Sequence, residues 1–283
     1  MNSFPIQPRA QTVGILGGMG PAAGADFVRL FVAACADRLR GLGIAVSDQA
    51  FPEHWLAQVP VPDRSTALEA LGHLGGHQPL DPMLQAMGKL AALGATAVAV
   101  ACNTAHAWHE TLQARFPHIE VLHVAREVAR RLSADGVREV GLLATGGTYR
   151  AGLYDQALGE AGIVCRVPSS DERGLLMRGI YEGVKAGDLA FARDAFSEVA
   201  QNLAARHGLS TLVMGCTEIP LALSAAPAVP EMREVPELPD VPGLPFSESV
   251  SAIRGLRLVD AAGLLAHALA GRAYAPLSAC SRI

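Results

Sequence analysis

The sequence VGILGG at residues 13–18 recurs in a second version, VGLLATGG, at residues 140–147. Each is a short apolar run that ends in glycines, which predicts a strand buried on both faces and followed by a tight turn. A second pair of runs, TAVAVACNT at residues 96–104 and TLVMGCTE at residues 211–218, places a cysteine at the end of each strand. The chain is therefore predicted to contain two similar halves.

Strand-length apolar runs alternate with helix-length runs over most of the chain. The predicted strands are residues 12–16, 56–61, 96–101, 121–124, 140–143 and 211–214. The predicted helices are residues 22–39, 80–93, 104–116 and 189–206. This alternation predicts an α/β fold with mainly parallel sheets, which bind ligands at the carboxyl ends of their strands. The proline-rich residues 225–245 are predicted to form a loop.

The composition is typical of a globular protein, since 50% of the 283 residues are hydrophobic and 18% are charged. The net charge of −4 and the scattered basic residues give no support for a nucleic-acid or membrane-surface partner, so we expect a small-molecule partner. No apolar run has the length of a membrane span, and the N-terminal residues lack a secretory pattern. With five cysteines that form no disulfide framework, the sequence predicts a cytoplasmic protein with reduced thiols.

Cys102 and Cys216 are the candidate reactive residues, because each follows a predicted strand and precedes a predicted helix start. Asn103 and Thr104 follow the first cysteine and Thr217 follows the second. Such polar residues commonly cap a helix N-terminus. Backbone N–H groups and the helix dipole at this position lower the pKa of a thiol from about 8.5 toward neutrality, where a thiolate acts as a base. Two cysteines in this setting favour catalysis over a structural role.

Two other interpretations of these motifs stay open. Cys102, His106 and His109 have a helical spacing that could bind zinc, although no fourth ligand lies nearby in the sequence, and His106 could instead tune the thiol. GMGPAA at residues 18–23 matches the spacing of a dinucleotide-binding turn. Against it, Pro21 is typical of a first helical turn, and no acidic residue ends a second strand at the expected distance. A glycine turn whose backbone N–H groups approach a carboxylate explains the same residues.

Five motifs in order resemble the aspartate racemase branch of the Asp/Glu (aspartate/glutamate/hydantoin) racemase family. They are GILGGMGP at residues 14–21, PDR at 62–64, CNTAH at 102–106, RGIYEGVKAG at 178–187 and GCTE at 215–218. The resemblance implies two pseudo-symmetric Rossmann-like domains with mainly parallel sheets and an active-site cleft between them. One domain would comprise residues 1–119 and 226–283 and carry Cys102. The other would comprise residues 120–225 and carry Cys216.

The resemblance also implies roles for individual residues. Cys102 and Cys216 correspond to the two catalytic cysteines, and no metal or pyridoxal phosphate takes part. Arg64 and Lys185 would be the cationic groups that distinguish a dicarboxylic amino acid. The other implied substrate contacts are Ser65, Asn103, Thr104, Thr145, Thr148 and Thr217. Gly146 stands where similar proteins often carry Thr, and residues 225–254 form a longer connection than the family has, which leaves the substrate open.

Racemisation removes the α-proton on one face of an amino acid and returns a proton on the other, which requires one base and one acid. Two thiols supply both. The resemblance therefore implies a cofactor-independent racemase of aspartate, or else of glutamate, that acts as a homodimer. A maleate isomerase or hydantoin racemase on the same scaffold and a catalytically silent amino-acid-binding protein are the alternatives.

Overall fold

The computed structural model describes residues 10–69, 79–223, 253 and 255–275, and their secondary structure confirms the predicted α/β class. The strands are β1 (Val13–Gly17), β2 (His54–Gln58), β3 (Ala97–Val100), β4 (Glu120–Val121), β5 (Glu139–Ala144), β6 (Val164–Arg166), β7 (Thr211–Gly215) and β8 (Arg257–Asp260). The α-helices are α1 (Pro21–Gly41), α2 (Arg64–Glu69), α3 (Leu80–Ala92), α4 (His109–Arg115), α5 (Val124–Ala134), α6 (Gly146–Arg150), α7 (Leu153–Glu160), α8 (Ser170–Arg178), α9 (Leu189–His207), α10 (Glu218–Leu223) and α11 (Ala261–Ala273).

The strands form two parallel sheets with the same strand order, β2-β1-β3-β4 and β6-β5-β7-β8. In the first sheet β1 pairs with β2 and β3, and in the second sheet β5 pairs with β6 and β7. The strands β1, β3 and β7 are buried along their whole length. The predicted repeat is confirmed, because the two glycine-ended runs and the two cysteine-ended runs form topologically equivalent strands.

Each repeat places a glycine at a point where neighbouring side chains lie against the strand backbone. A Cβ atom on Gly14 of β1 would lie 3.0 Å from side-chain atoms of Leu90 and Val98. A Cβ atom on Gly141 of β5 would lie 2.9 Å from the side chain of Leu203. Helix α3 therefore packs directly on the backbone of β1, and α9 packs in the same way on β5.

The chain divides into two units. The first comprises the described residues of Met1–Arg138, Gly146–Ile163 and Ala261–Ile283, and the second comprises those of Glu139–Thr145 and Val164–Asp260. The units place Cys102 in the first and Cys216 in the second. They differ from the expected domains because α5 and α7 pack against each other in the first unit, and because β8 pairs with β7 in the second. The boundaries at 119/120 and 225/226 stay a prediction.

Three elements differ from the predicted strands and helices, the first of which is the strand predicted at residues 56–61, which is found at His54–Gln58 as β2. The strand predicted at residues 121–124 is confined to Glu120–Val121, because α5 begins at Val124 and the side chain of His123 caps it by accepting a hydrogen bond from Arg126 N. The helix predicted at residues 104–116 begins as a 3₁₀ helix, Thr104–Trp108, before α4. The predicted loop at 225–245 lies outside the described residues. Among the described residues, no helix is long and apolar enough to cross a membrane.

The turn after β1 requires a glycine because another segment of the backbone lies close to it. Gly18 has a φ of +94°, and a Cβ atom there would lie 2.6 Å from the backbone N of Val59. Helix α1 then begins at Pro21, as its position predicted. The spacing that resembles a dinucleotide-binding turn is thus explained by contact with residue 59 of the same unit.

Candidate active site

Cys102 lies just beyond β3, where the strand backbone leaves the sheet. The N–H of Ala101 still donates to the carbonyl of Leu16 at 2.9 Å, and the N–H of Cys102 donates to the carbonyl of Val100 at 2.8 Å. The cysteine is 6% exposed. The structure confirms the predicted place of this residue between a strand end and a helix start, although the helix that follows is of the 3₁₀ type.

The side chain of Asn103 does not cap the 3₁₀ helix, contrary to the prediction. Its Oδ1 accepts a hydrogen bond of 2.5 Å from the hydroxyl of Tyr154, a fully buried residue of α7. Because this oxygen accepts from the tyrosine hydroxyl, it does not point at the backbone N–H groups of the helix. Asn103 therefore makes no side-chain capping hydrogen bond. Tyr154 was missed in the sequence, because the bond joins residues 51 positions apart and no local pattern marks it.

Three of the predicted substrate residues come together in the first unit. The hydroxyls of Thr104 and Thr148 lie 3.0 Å apart, and both residues are buried. Gly147 of α6 lies between them and α2, since a Cβ atom on it would be 2.7 Å from Ser65 Oγ and 2.8 Å from the methyl carbon of Thr104. Helices α2 and α6 and the 3₁₀ helix after Cys102 therefore meet at one point, and hydroxyl groups line it.

His106 contacts the backbone of the cysteine loop. Its Nδ1 lies 2.9 Å from the carbonyl oxygen of Cys102 and 3.2 Å from that of Asn103, so Nδ1 carries the hydrogen and donates it. Burial lowers the pKa of His106 to about 4, and nearby His109 adds to this effect. The ring is neutral at pH 7, and it fixes the course of the backbone at Cys102.

The rings of His106, His109 and His123 form a cluster with centroid separations of 4.8 to 6.3 Å. Burial also lowers the pKa of His123 to about 3, with additional contributions from the other two rings. His109 Nε2 donates to the carbonyl of Val121 at 2.7 Å. In the part of the chain that the structure describes, no three His, Cys, Asp or Glu side chains are placed to hold a metal ion, so the zinc alternative finds no ligand set there.

Arg64, at the start of α2, holds the backbone around it. Nη1 lies 3.1 Å from the carbonyls of Val61 and Pro62, and Nη2 donates to the carbonyl of Met19 at 2.7 Å. The guanidinium thus connects the turn after β1 to the turn before α2. A bidentate grip on a substrate carboxylate would have to replace some of these bonds, and that role stays a prediction.

Cys216 lies just beyond β7 and is 4% exposed. Its thiol donates a hydrogen bond of 3.0 Å to Glu218 Oε2, and the hydroxyl of Thr217 donates to the same oxygen at 2.9 Å. Glu218 is itself only 7% exposed. The sequence prediction used Glu218 only as part of the GCTE motif and gave it no role. An acidic residue two positions after a candidate thiol was the available signal.

The other two predicted substrate residues of the second unit lie nearer to solvent. Lys185 is exposed, and its Nζ lies 4.2 Å from the centroid of the Tyr181 ring. Thr145 directly follows β5 and is partly buried. The geometry within this unit groups Cys216, Thr217 and Glu218, whereas the parts played by Thr145 and Lys185 stay predictions.

Comparison with known families identifies the chain. The model of the family described as Asp/Glu/Hydantoin racemase matches residues 16–244. This chain belongs to that family. The racemase relatives include a glutamate racemase from Desulforudis audaxviator, which is 33% identical over 137 residues that cover 47% of this chain and 48% of that protein. The match thus spans about half the length of that relative.

Solved structures support the fold of this racemase family member. A Picrophilus torridus aspartate racemase has a TM-score of 0.67 at 24% identity, with 95% of this chain and 96% of that chain covered. An aspartate racemase homologue from Pyrococcus horikoshii OT3 has a TM-score of 0.65 at 21% identity, with 94% of this chain and all of that chain covered. Both similarities confirm the expected racemase fold with its two sheets.

Proposed function

We propose that this chain is a cofactor-independent aspartate racemase in which Cys102 and Cys216 serve as acid and base. The observation that carries the proposal is the equivalence of two strand ends. Strands β3 and β7 hold the same place in sheets of the same order, and a buried cysteine follows each. A racemase that uses a different group on each face of one carbon needs one acid and one base, and two matched cysteines can supply both. Family membership and the Picrophilus torridus aspartate racemase of similar fold support this substrate, and the glutamate racemase relative makes glutamate the second candidate.

In the proposed reaction each proton has a defined source and destination. A thiolate takes the α-proton of the amino acid, which forms an S–H bond and leaves the electron pair on the α-carbon. The other thiol gives its proton to the opposite face and becomes a thiolate. The product is the mirror-image amino acid, and the two sulfurs have exchanged protonation states. The reverse reaction uses the same steps with the roles exchanged.

Glu218 assigns the starting roles. A thiol that donates to a carboxylate is favoured over a thiolate, because the thiolate charge would lie next to the carboxylate charge. We therefore assign Cys216 as the proton donor of the resting enzyme and Cys102 as the base. The 3.0 Å contact between Cys216 Sγ and Glu218 Oε2 supports this assignment.

The carbanion requires stabilisation by hydrogen-bond donors that are already in place. In the first unit, the hydroxyls of Thr104 and Thr148 and the amide of Asn103 are buried beside the strand end that carries Cys102. Thr145 and Thr217 are the corresponding candidates in the second unit. Ser65 borders the same group as Thr104. We propose that these side chains bind the amino-acid carboxylate and amine.

The test is racemisation of L-aspartate in heavy water by protein treated with a chelator and freed of pyridoxal phosphate. We expect D-aspartate that carries solvent deuterium, while unreacted L-aspartate carries much less, because the two faces exchange with different thiols. A panel of glutamate, alanine, hydantoins and maleate decides between the related activities. A strict requirement for an added cofactor contradicts the proposal, and absence of α-proton exchange with every compound indicates a silent binding protein.

Selectivity for a dicarboxylate is proposed to depend on Lys185 more than on Arg64. Lys185 is exposed, so its charge can reach a substrate. Lys185→Met should lower the rate of α-proton exchange with aspartate by about tenfold or more relative to that with alanine, as expected for the loss of a charge-assisted hydrogen bond. Arg64→Lys should weaken both substrates similarly, because it loosens three backbone contacts. The measurement is α-proton exchange of each amino acid. Equal losses for both substrates in Lys185→Met would contradict its role.

Two further properties stay predictions of this proposal. We expect a cytoplasmic protein, as the cysteine pattern predicts, and a homodimer, as the resemblance to the racemase family implies. Sedimentation of the purified protein over a range of concentrations tests the second expectation. A mass of one chain at every concentration would contradict it.

A further inference from the structure

We propose that Tyr154 is a positioning residue that orients the amide of Asn103 toward the carboxylate of the substrate. The inference rests on the proposed racemase function and extends it to a residue that the sequence motifs do not include. Tyr154 lies on α7 and its side chain is 1% exposed. Its hydroxyl donates to Asn103 Oδ1 at 2.5 Å. Asn103 is the residue that follows Cys102.

The hydrogen bond fixes which way the amide points. An asparagine side chain has one acceptor oxygen and one NH₂ group with two donors. Because the tyrosine hydroxyl donates to Oδ1, the NH₂ group must point away from it. Within the described residues, the Nδ2 of Asn103 makes no hydrogen bond and is not among the buried polar atoms that lack a partner. The donors are thus held in one direction and are available to an incoming acceptor.

A second contact supports the same arrangement. Helix α6, which precedes α7, places Thr148 Oγ1 3.0 Å from Thr104 Oγ1. Residues 148 and 154 therefore each bind one of the two residues that follow Cys102. A Cβ atom on Gly147 would lie 2.7 Å from Ser65 Oγ and 2.8 Å from the methyl carbon of Thr104, so the backbone of α6 packs closely against both residues. The segment formed by α6 and α7 holds the cysteine loop at two consecutive positions.

The chemistry that such a donor recognises is a carboxylate. As the α-proton leaves, negative charge spreads from the α-carbon onto the adjacent carboxylate oxygens, and an oriented N–H donor stabilises this charge more than that of the ground state. An amide that rotates freely would present its oxygen to the substrate part of the time. Tyr154 excludes the orientation in which the amide oxygen of Asn103 faces the substrate. Its hydroxyl therefore acts on the reaction through Asn103.

The main experiment compares Tyr154→Phe with Tyr274→Phe. Each variant removes the hydroxyl of a buried tyrosine in the first unit, and the hydroxyl of Tyr274 donates to the backbone carbonyl of Ala50 at 2.9 Å. Both should lose a similar, small part of the free energy of unfolding, typical of one hydrogen bond. We expect kcat/KM to fall at least tenfold in Tyr154→Phe and to stay within twofold of the wild type in Tyr274→Phe. Equal kinetic effects in the two variants would overturn the proposal.

A double-mutant cycle tests the route through the amide. In an Asn103→Ala background, Tyr154→Phe should cause no further loss in kcat/KM, because the group that it orients is gone. Additive losses would show that Tyr154 acts elsewhere. Asn103→Asp is the second variant, because it keeps the oxygen that Tyr154 binds and replaces the NH₂ donors with an acceptor. We expect it to fold like the wild type and to lose activity more than Tyr154→Phe does.

A spectroscopic test separates this inference from the proposed function. The chain contains three asparagines, Asn2, Asn103 and Asn202, so ¹⁵N-asparagine labelling gives three side-chain NH₂ signals, and Asn103→Ala assigns one of them. Addition of succinate, a dicarboxylate without an α-amine, should shift the Asn103 signal in the wild type, and Tyr154→Phe should broaden or abolish this response. If racemisation is absent but the shift occurs, the proposed activity fails while Tyr154 keeps its role. An unchanged response in Tyr154→Phe would overturn the inference.

Discussion

The carboxyl ends of β3 and β7 have the same place in two sheets of the same order, yet the polar groups around their cysteines differ. At Cys216 a buried carboxylate accepts the hydrogen of the thiol itself. At Cys102 a neutral histidine binds the backbone carbonyl of the cysteine, and a tyrosine binds the next side chain. The repeated backbone places each sulfur just beyond the end of its own strand. In the proposed mechanism the surrounding side chains, which are not repeated, decide which sulfur holds a proton.

The largest expected effect concerns the feature that the two ends share. Cys102→Ala and Cys216→Ala should each reduce racemisation by about 10²- to 10⁴-fold, and the double variant should lose little more, because the acid and the base act as a unit. Cys165→Ala, a change at a partly buried cysteine of β6, is the matched control and should retain activity. The rate of aspartate racemisation is the measurement. A near-normal rate in either single variant would contradict the proposal that both cysteines act in catalysis.

A smaller effect sharpens the difference between the two ends. Glu218→Gln removes the negative charge beside Cys216 but keeps the size and an acceptor oxygen. The Cys216 thiolate should become more favourable, and alkylation of Cys216 by iodoacetamide at pH 7 should rise about tenfold, as expected for removal of a nearby like charge. Alkylation of Cys102 should not change, and the alkaline limb of the racemisation profile should move to lower pH.

The control for this variant is Glu182→Gln, which removes an exposed carboxylate that pairs with Arg178 on the surface. Mass spectrometry of the alkylated peptides follows both cysteines in one sample. If Glu218→Gln slows the alkylation of Cys216, or changes both cysteines alike, the carboxylate does not set the asymmetry.

The smallest effect concerns the histidines near Cys102. Burial lowers the pKa of His106 to about 4, whereas an unfolded histidine has a pKa of about 6.5. Between these values the unfolded chain binds more protons than the folded chain, so stability is present above about pH 6.5 and is lost as the pH falls toward 4. His106 should contribute roughly 2 to 3 kcal/mol to this loss.

The variant His106→Asn keeps an N–H donor near the carbonyl of Cys102 and removes the titrating ring. Urea unfolding at pH 7 and pH 4.5 should show a smaller loss of stability on acidification for this variant than for the wild type. His118→Asn, at an exposed position, should leave the loss unchanged. An equal loss in all three proteins would mean that the buried ring does not link folding to pH.

The strands and helices that the sequence predicted correctly are those whose pattern of apolar residues is strong over a short stretch of the chain. Strands β1, β3, β5 and β7 are almost entirely buried apolar runs, and α1, α3 and α9 bury apolar residues that recur at helical spacing. The strand β6 was missed because it is short and partly exposed, so its residues carry no apolar pattern. The strand β8 was missed as well, because a charged residue stands at each of its ends and only its two central residues are buried.

In the candidate site as well, the residues marked by a local sequence pattern were predicted and those brought in by tertiary packing were not. Cys102 and Cys216 were found because a strand end and a polar neighbour are local features. The partners that distinguish the two ends were not found. The bond from Tyr154 to Asn103 depends on how α7 packs, and the contact between Thr104 and Thr148 spans 44 residues. Side-chain partnerships of this kind follow from tertiary packing, which periodicity does not encode.

The paired glycines at the start of α6 have opposite tolerances for a side chain. A Cβ atom on Gly147 would press against Ser65 and Thr104, including the backbone Cα of Ser65 at 3.0 Å, whereas a Cβ atom on Gly146 would meet no atom within 4 Å. A library that varies both positions should therefore recover glycine at 147 and many residues at 146. Position 146 is a place where a new hydroxyl or methyl group can be added without moving the backbone, and thus, if the proposed function holds, a starting point for changing the substrate.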